Sequence, residues 1–167
     1  MTRPGCYHVM KNWLKLTISL ILPQLAALTG AAFTVTGEGS WYRTIKKPEW
    51  NPPGWLFGPV WITLYILMGI AFYIVWKSAA DIKIKRPAMI FWCLQLVFNL
   101  CWTLIFFYAH EIGYAFAEIV VLWLLILITI FLFARISKLS AWLLLPYISW
   151  VSFAAILTYT IWQLNQH

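Results

Sequence analysis

Acidic residues are scarce: five Asp and Glu in 167 residues, against twelve Lys and Arg. So few carboxylates offer no pair set for general acid–base work. Charged residues of both signs make up only 10% of the chain, where a soluble domain carries about 25%. A water-exposed globular fold is thereby excluded. Cys6, Cys93 and Cys101 form no CxxC pair. Cys93 and Cys101 share one apolar stretch and read as packing residues, with no disulfide or metal implied. The three His are His8, His110 and His167. Only His110 has an acidic neighbour, Glu111, and a metal site needs more ligands at suitable spacing. No Gly-rich phosphate loop and no Ser-His-Asp arrangement occurs. No basic run interleaved with aromatics lies outside the apolar stretches, which argues against nucleic acid as a partner.

What the chain has in abundance is apolar surface: 63% hydrophobic residues, with 12 Trp, 8 Tyr and 11 Phe. Five apolar segments, at about 13–35, 55–76, 87–108, 113–134 and 141–162, are each long enough to cross the ~30 Å hydrocarbon layer as a helix. Lipid offers no partners to backbone N–H and C=O groups, so spans are helices or closed barrels. The strict alternation of barrel strands is absent. The expectation is an all-α integral membrane bundle of five transmembrane helices in one domain covering 1–167. No internal repeat is visible. The first apolar run has basic Lys11 and Lys15 before it and Ala31-Ala32 near its end, as a signal peptide would. It nevertheless continues to about Val35 through Pro23 and Gln24, and reads as a retained helix. Met10-Lys11-Asn12-Trp13-Leu14 also reads as a start, with residues 1–9 an extension.

Five spans put the two termini on opposite sides. Arg3, Lys11, Lys15, Lys77, Lys83, Lys85, Arg86, Arg135 and Lys138 fall on the N-terminal side, and only Arg43, Lys46 and Lys47 on the other. The positive-inside rule then places the N-terminus in the cytoplasm and the first loop outside, for a bacterial plasma membrane. The net charge of +7 fits this bias and anionic membrane lipid.

The first connection, 36–54, is long and holds Trp41, Tyr42, Lys47, Trp50 and the tandem Pro52-Pro53. Long loops in compact proteins are functional or disordered, and this aromatic content predicts an ordered one packed on the bundle. Trp50 and Trp55 flank the entry to the second span, at the depth where indoles favour the lipid headgroup boundary. Within the spans, Trp61, Tyr65, Met68 and Phe72 share one helix face. Gln95, Asn99, Trp102 and Phe106 share another, and Tyr147, Trp150, Ala154 and Leu157 a third. Two readings stand: aromatic packing between helices, or the lining of a flat apolar cavity with a few hydrogen-bonding groups. Asn99 is either an interhelical hydrogen bond or a ligand contact. Glu118 is the one acid deep in a span: either a proton or cation site, or a side chain reaching the membrane surface. Ala27 and Ala31, with Ala26 and Gly30, are spaced for close helix approach, within the bundle or in a dimer.

Together Trp41-Tyr42, Lys47-Pro48-Glu49-Trp50-Asn51-Pro52-Pro53-Gly54-Trp55, Pro59-Val60-Trp61, Gln95, Asn99-Leu100-Cys101-Trp102, Phe106-Phe107 and Pro146-Tyr147 followed by Trp150 resemble the TspO/MBR family of tryptophan-rich sensory proteins, related to the mitochondrial translocator protein. The resemblance spans about Gly37 to Trp162. It implies a five-helix bundle, often a homodimer, with a pocket opening toward the first loop. It also implies binding of tetrapyrroles such as protoporphyrin IX and haem, and of isoquinoline carboxamide drugs. The family's pocket positions fall on Tyr42, Pro52, Trp61, Tyr65, Asn99, Trp102, Ile119, Trp150 and Ala154. Some bacterial members are implicated in light- and oxygen-dependent breakdown of porphyrin, with Trp61 and Trp150 at the matching positions. No cofactor is implied beyond the tetrapyrrole as ligand or substrate, and no metal ligands. A carrier of tetrapyrroles or other amphiphiles is the alternative function. In animal members a cholesterol-recognition pattern ends the fifth helix. Here Leu157 and Tyr159 are present, but Gln163 stands at the basic position, which argues against cholesterol and for a bacterial source.

Overall fold

The computed structural model describes residues 4–166, and side chains from Asn12 onward. Arg3 and His167 lie outside the described residues, as do the side chains of Cys6, His8 and Lys11. Helix α1 runs Pro4–Phe33, the short α2 Trp41–Thr44, α3 Gly54–Lys77, α4 Ile82–Thr103, α5 Ile112–Ala134, α6 Lys138–Trp142 and α7 Leu145–Leu164. Five stretches of the described chain are long and apolar enough to cross a membrane: Asn12–Phe33, Gly54–Lys77, Ile82–Tyr108, Ile112–Ala134 and Lys138–Leu164. The protein is a multi-pass integral membrane bundle of five helical spans.

Local chemistry explains the departures from simple helices. Pro53 is the N-cap of α3 with extended backbone, so the tandem prolines stop just short of the helix they precede. Asp81 caps α4 by accepting from the Lys83 backbone N–H at 2.8 Å. That cap starts the third span at Ile82, before Pro87. At the other end of α4, Leu104–Tyr108 form a turn of π-helix, closed by the Ala109 N–H donating to the Leu104 carbonyl at 2.9 Å. The extra residue in that turn brings Phe106 into the core and leaves Phe107 beside it. The fifth span is not one helix from 141 to 162. Ser137 caps the short α6, and Pro146 then sits in the first turn of α7. Proline lacks the N–H a continuous helix needs and crowds the preceding turn.

The main core gathers Leu64, Tyr65, Met68, Phe72, Trp92, Ile119, Leu122, Ile126, Tyr147 and Val151 from α3, α4, α5 and α7. A second cluster forms under the first loop from Tyr42, Phe106, Ala115, Leu157 and Ile161.

Helix α1 changes partner along its length. Toward its middle, Lys15 Nζ lies 5.9 Å over the Trp76 ring of α3. One turn on, Ser19 is fully buried against Gly69 of α3, where a Cβ would come within 2.6 Å of the Ser19 carbonyl oxygen. That carbonyl is the one Pro23, four residues later, cannot bond, so a glycine Cα–H is its close neighbour instead. Toward the first loop α1 leans on α4: a Cβ on Gly30 would lie 3.6 Å from Thr103 Oγ1, and Phe33 meets Tyr108 edge-on at 5.8 Å. Just past the end of α1 the chain meets α3 again, where a Cβ on Gly54 would lie 3.6 Å from Thr36 Oγ1.

Candidate ligand cavity

A cavity of about 500 Å³ lies between α1, α3, α4 and α7, within the ~300–1,000 Å³ common for small-molecule sites. Trp61 and Tyr65 reach it from α3, Asn99 and Trp102 from α4, and Trp150 and Ala154 from α7. Two residues from each of the three helix faces picked out in the sequence converge here, while Met68, Phe72, Gln95, Phe106, Tyr147 and Leu157 are buried without lining it. Trp61 is stacked on Tyr65, with ring centroids 5.4 Å apart and planes at 28°. Trp102 is stacked on Phe106 at 5.2 Å. Trp150 stands edge-on to Phe57 at 6.0 Å. Each of these three rings packs against another aromatic ring.

One polar group spans the base. The Tyr65 hydroxyl donates to Asn99 Oδ1 at 2.5 Å, and Asn99 Nδ2 donates to the Tyr147 hydroxyl at 3.2 Å. Asn99 thus joins three spans and still has one N–H and one lone pair to offer. Its two readings, interhelical bond and ligand contact, are compatible. The indole Nε1 atoms of Trp102 and Trp150 are buried with no hydrogen-bond partner among the described residues.

Three sequence-picked positions stand elsewhere. Tyr42 lies under the first loop against Phe106 and Phe107, its hydroxyl donating to Asn51 Oδ1 at 2.9 Å. Pro52 is in that loop, its carbonyl accepting from Asn51 Nδ2 at 3.0 Å. Ile119 is buried in the main core. None of these three lines the cavity. Conversely, the α1 wall was not read as a site: Gln24, Ala27, Ala31 and Thr34 all line it. For Ala27 and Ala31 the signal was the small-residue row, which was read only as helix packing. Gly30 does serve close approach, but its neighbours Ala27 and Ala31 leave room. Phe107, delivered by the π turn, was also missed as a wall residue.

The first loop is pinned over the top. Trp41 stacks on His110 at 4.3 Å, where His110 holds a left-handed backbone, φ 61. Trp50 meets Phe153 at 5.9 Å. Lys46 and Asn165 exchange two hydrogen bonds: the Lys46 N–H donates to Asn165 Oδ1 at 3.0 Å, and Asn165 Nδ2 donates to the Lys46 carbonyl at 2.9 Å. Lys47 Nζ donates to the carbonyls of Tyr42 and Ile45 at 2.6 and 2.8 Å and sits over the Tyr42 ring. Burial and the Arg43 charge push the Lys47 ammonium below its usual range, against the stabilisation its two carbonyl partners supply. Burial pushes the Tyr42 phenol up, partly offset by the bond to Asn51.

Glu118 is apart from the cavity walls. Both its carboxylate oxygens are buried with no hydrogen-bond partner among the described residues, so the side chain does not reach the membrane surface. Gln95 is likewise buried, with neither end of its amide partnered. Cys93 is exposed rather than packed, and Cys101 is half-buried; both are free.

These features define a multi-pass membrane protein with an internal, aromatic-walled cavity beneath an ordered loop. The chain belongs to the TspO/MBR family, whose model matches residues 19–163, a span that takes in the cavity-lining part of α1. It is 39% identical over 155 residues to the tryptophan-rich protein TspO of Chlorobaculum tepidum, covering 93% of this chain and 98% of that one. It is 36% identical to protein CrtK of Rhodobacter capsulatus, over 91% and 95% of the two chains. To the human translocator protein it is 37% identical, over 87% and 86%.

Proposed function

We propose that this protein binds a tetrapyrrole, of the protoporphyrin IX or haem type, in the cavity, and senses, sequesters or photodegrades it. The observation that carries this reading is the convergence of Trp61, Trp102 and Trp150, from three spans, on one cavity of about 500 Å³. Flat indole faces suit a flat macrocycle, and Asn99, with one amide N–H and one lone pair unused, supplies a polar contact for its edge. Isoquinoline carboxamide drugs, flat and apolar with one carbonyl, fit the same description. Under light and dioxygen, a bound porphyrin is the photosensitiser and the one oxidised. Trp61 and Trp150 are then the electron-rich groups held beside it.

The test is a dark titration of purified protein with protoporphyrin IX, followed by illumination. Micromolar affinity, about −8 kcal/mol, with quenched Trp fluorescence is expected. Substituting Trp61→Phe and Trp150→Phe together weakens binding and slows the light-driven loss of porphyrin absorbance. Unchanged affinity and unchanged loss overturn the roles assigned to these two residues.

The orientation proposed is N-terminus in the cytoplasm and first loop outside, in a bacterial plasma membrane, on the strength of nine basic residues against three.

A further inference from the structure

Where a ligand enters is written in the walls. On the loop side the first loop is tied down at three places: Trp41 on His110, Lys46 on Asn165 and Trp50 on Phe153. Below Thr36, which a Cβ on Gly54 would meet at 3.6 Å, the flank between α1 and α3 has no such ties among the described residues. Leu28 on α1 and Ile62 on α3 both line the cavity, yet they are 69% and 54% exposed. Ala31 and Gly58, also lining, are exposed as well. A Cβ on Gly58 would meet nothing within 4 Å. The gap exists because α1 is held to α3 at Ser19–Gly69 and to α4 at Gly30–Thr103. Gly58 and Ile62 lie about 6 and 12 Å along α3 from its first residue, within the ~15 Å depth of one leaflet's hydrocarbon. The opening thus faces acyl chains, not water.

We propose that ligand enters and leaves the cavity sideways, through a window between α1 and α3 rimmed by Leu28, Ala31, Gly58 and Ile62. The ligands it admits are amphiphiles already dissolved in the leaflet on the first-loop side. This rests on the reading of the cavity as a ligand site. Passage through a window is reversible, so narrowing it slows entry and exit alike. Weakening a wall contact instead speeds exit.

The experiment uses the full chain in lipid vesicles. Protoporphyrin IX dissolved in the membrane is the probe, and Trp quenching reports exchange. Entry is timed after fusion-free mixing with porphyrin-loaded vesicles, and exit after mixing with excess empty ones. Gly58→Leu and, on the opposite rim, Ala31→Leu each narrow the window. The open space at Gly58 lets its variant fold, and the second variant guards against a local fault in the first. Entry and exit rates are expected to fall together, by about tenfold. Asn165→Ala, which unties the loop, leaves both rates unchanged. Rates in the window variants equal to wild type, or slowed entry with exit not slowed, overturn the window. Faster exchange in Asn165→Ala alone assigns the route to the loop, which also overturns it. Absence of quenching in wild-type protein overturns the ligand-site reading itself, and the window with it.

Discussion

Asn99 holds the base of the cavity by bonding Tyr65 and Tyr147 at once. Replacing it by Leu strands two buried phenols, one without its acceptor and one without its donor. Interhelical hydrogen bonds in membranes are worth about 0.6–2 kcal/mol each, so Asn99→Leu is expected to cost about 2 kcal/mol. Tyr147→Phe, which removes one bond, costs about half that. Thermal unfolding in detergent measures both, and equal costs contradict the shared role. Tyr42 carries a pH dependence. Its folded phenol titrates above the ordinary value of 10.0 because burial disfavours the phenolate. The folded state therefore holds the proton more tightly, and stability present below that value is lost as pH rises above it. The first loop is expected to become protease-sensitive at alkaline pH, and Tyr42→Phe to blunt that onset. The residue types at this site were legible: an amide and aromatics at helical spacing on apolar spans. Their union was not. Asn99 bonds partners 34 and 48 positions away, and no periodicity carries that register.

Two of the three glycines of helix α3 answer opposite needs. At Gly69 a Cβ would press on the Ser19 carbonyl at 2.6 Å, whereas at Gly58 it would meet nothing within 4 Å. The same change therefore has opposite signs in one helix. Gly69→Ala forces α1 and α3 apart and is expected to destabilise by about 1–3 kcal/mol. Gly58→Ala gains helix propensity and stabilises by up to about 1 kcal/mol. Thermal melts of the two variants check this, and a shift of the same sign in both contradicts the packing described. The five spans were legible because each must be long and apolar enough to cross lipid unaided. The π turn at Leu104–Tyr108 and the break between α6 and α7 were not. Both keep the span apolar and about as long as before, so hydropathy is blind to them. Pro146 was visible in the sequence, but a proline in an apolar run marks equally a kink or a new first turn. The α1 wall was misread for a related reason. Small residues signal close approach, and here one of them provides it while others leave space.

At the scale of the whole molecule, charge sets orientation and packing sets the cavity. With native cysteines replaced, a cysteine at exposed Glu38 is expected to react with an impermeant reagent applied outside intact cells, and one at exposed Lys138 is not. The reverse pattern inverts the orientation. The cavity is the feature on which the rest depends: α1, α3, α4 and α7 could not enclose it if α1 stayed against α3 along its full length. All of its wall residues fall within residues 19–163, the span matched by the TspO/MBR family. Ala154 is a small wall residue, so Ala154→Trp is expected to fill the cavity. The decisive measurement is a dark titration of this variant with protoporphyrin IX beside the wild type, each first shown folded by its thermal melt. Binding weakened by about a hundredfold, some 2.8 kcal/mol, is the predicted result; wild-type affinity in a folded Ala154→Trp protein contradicts the cavity as the site.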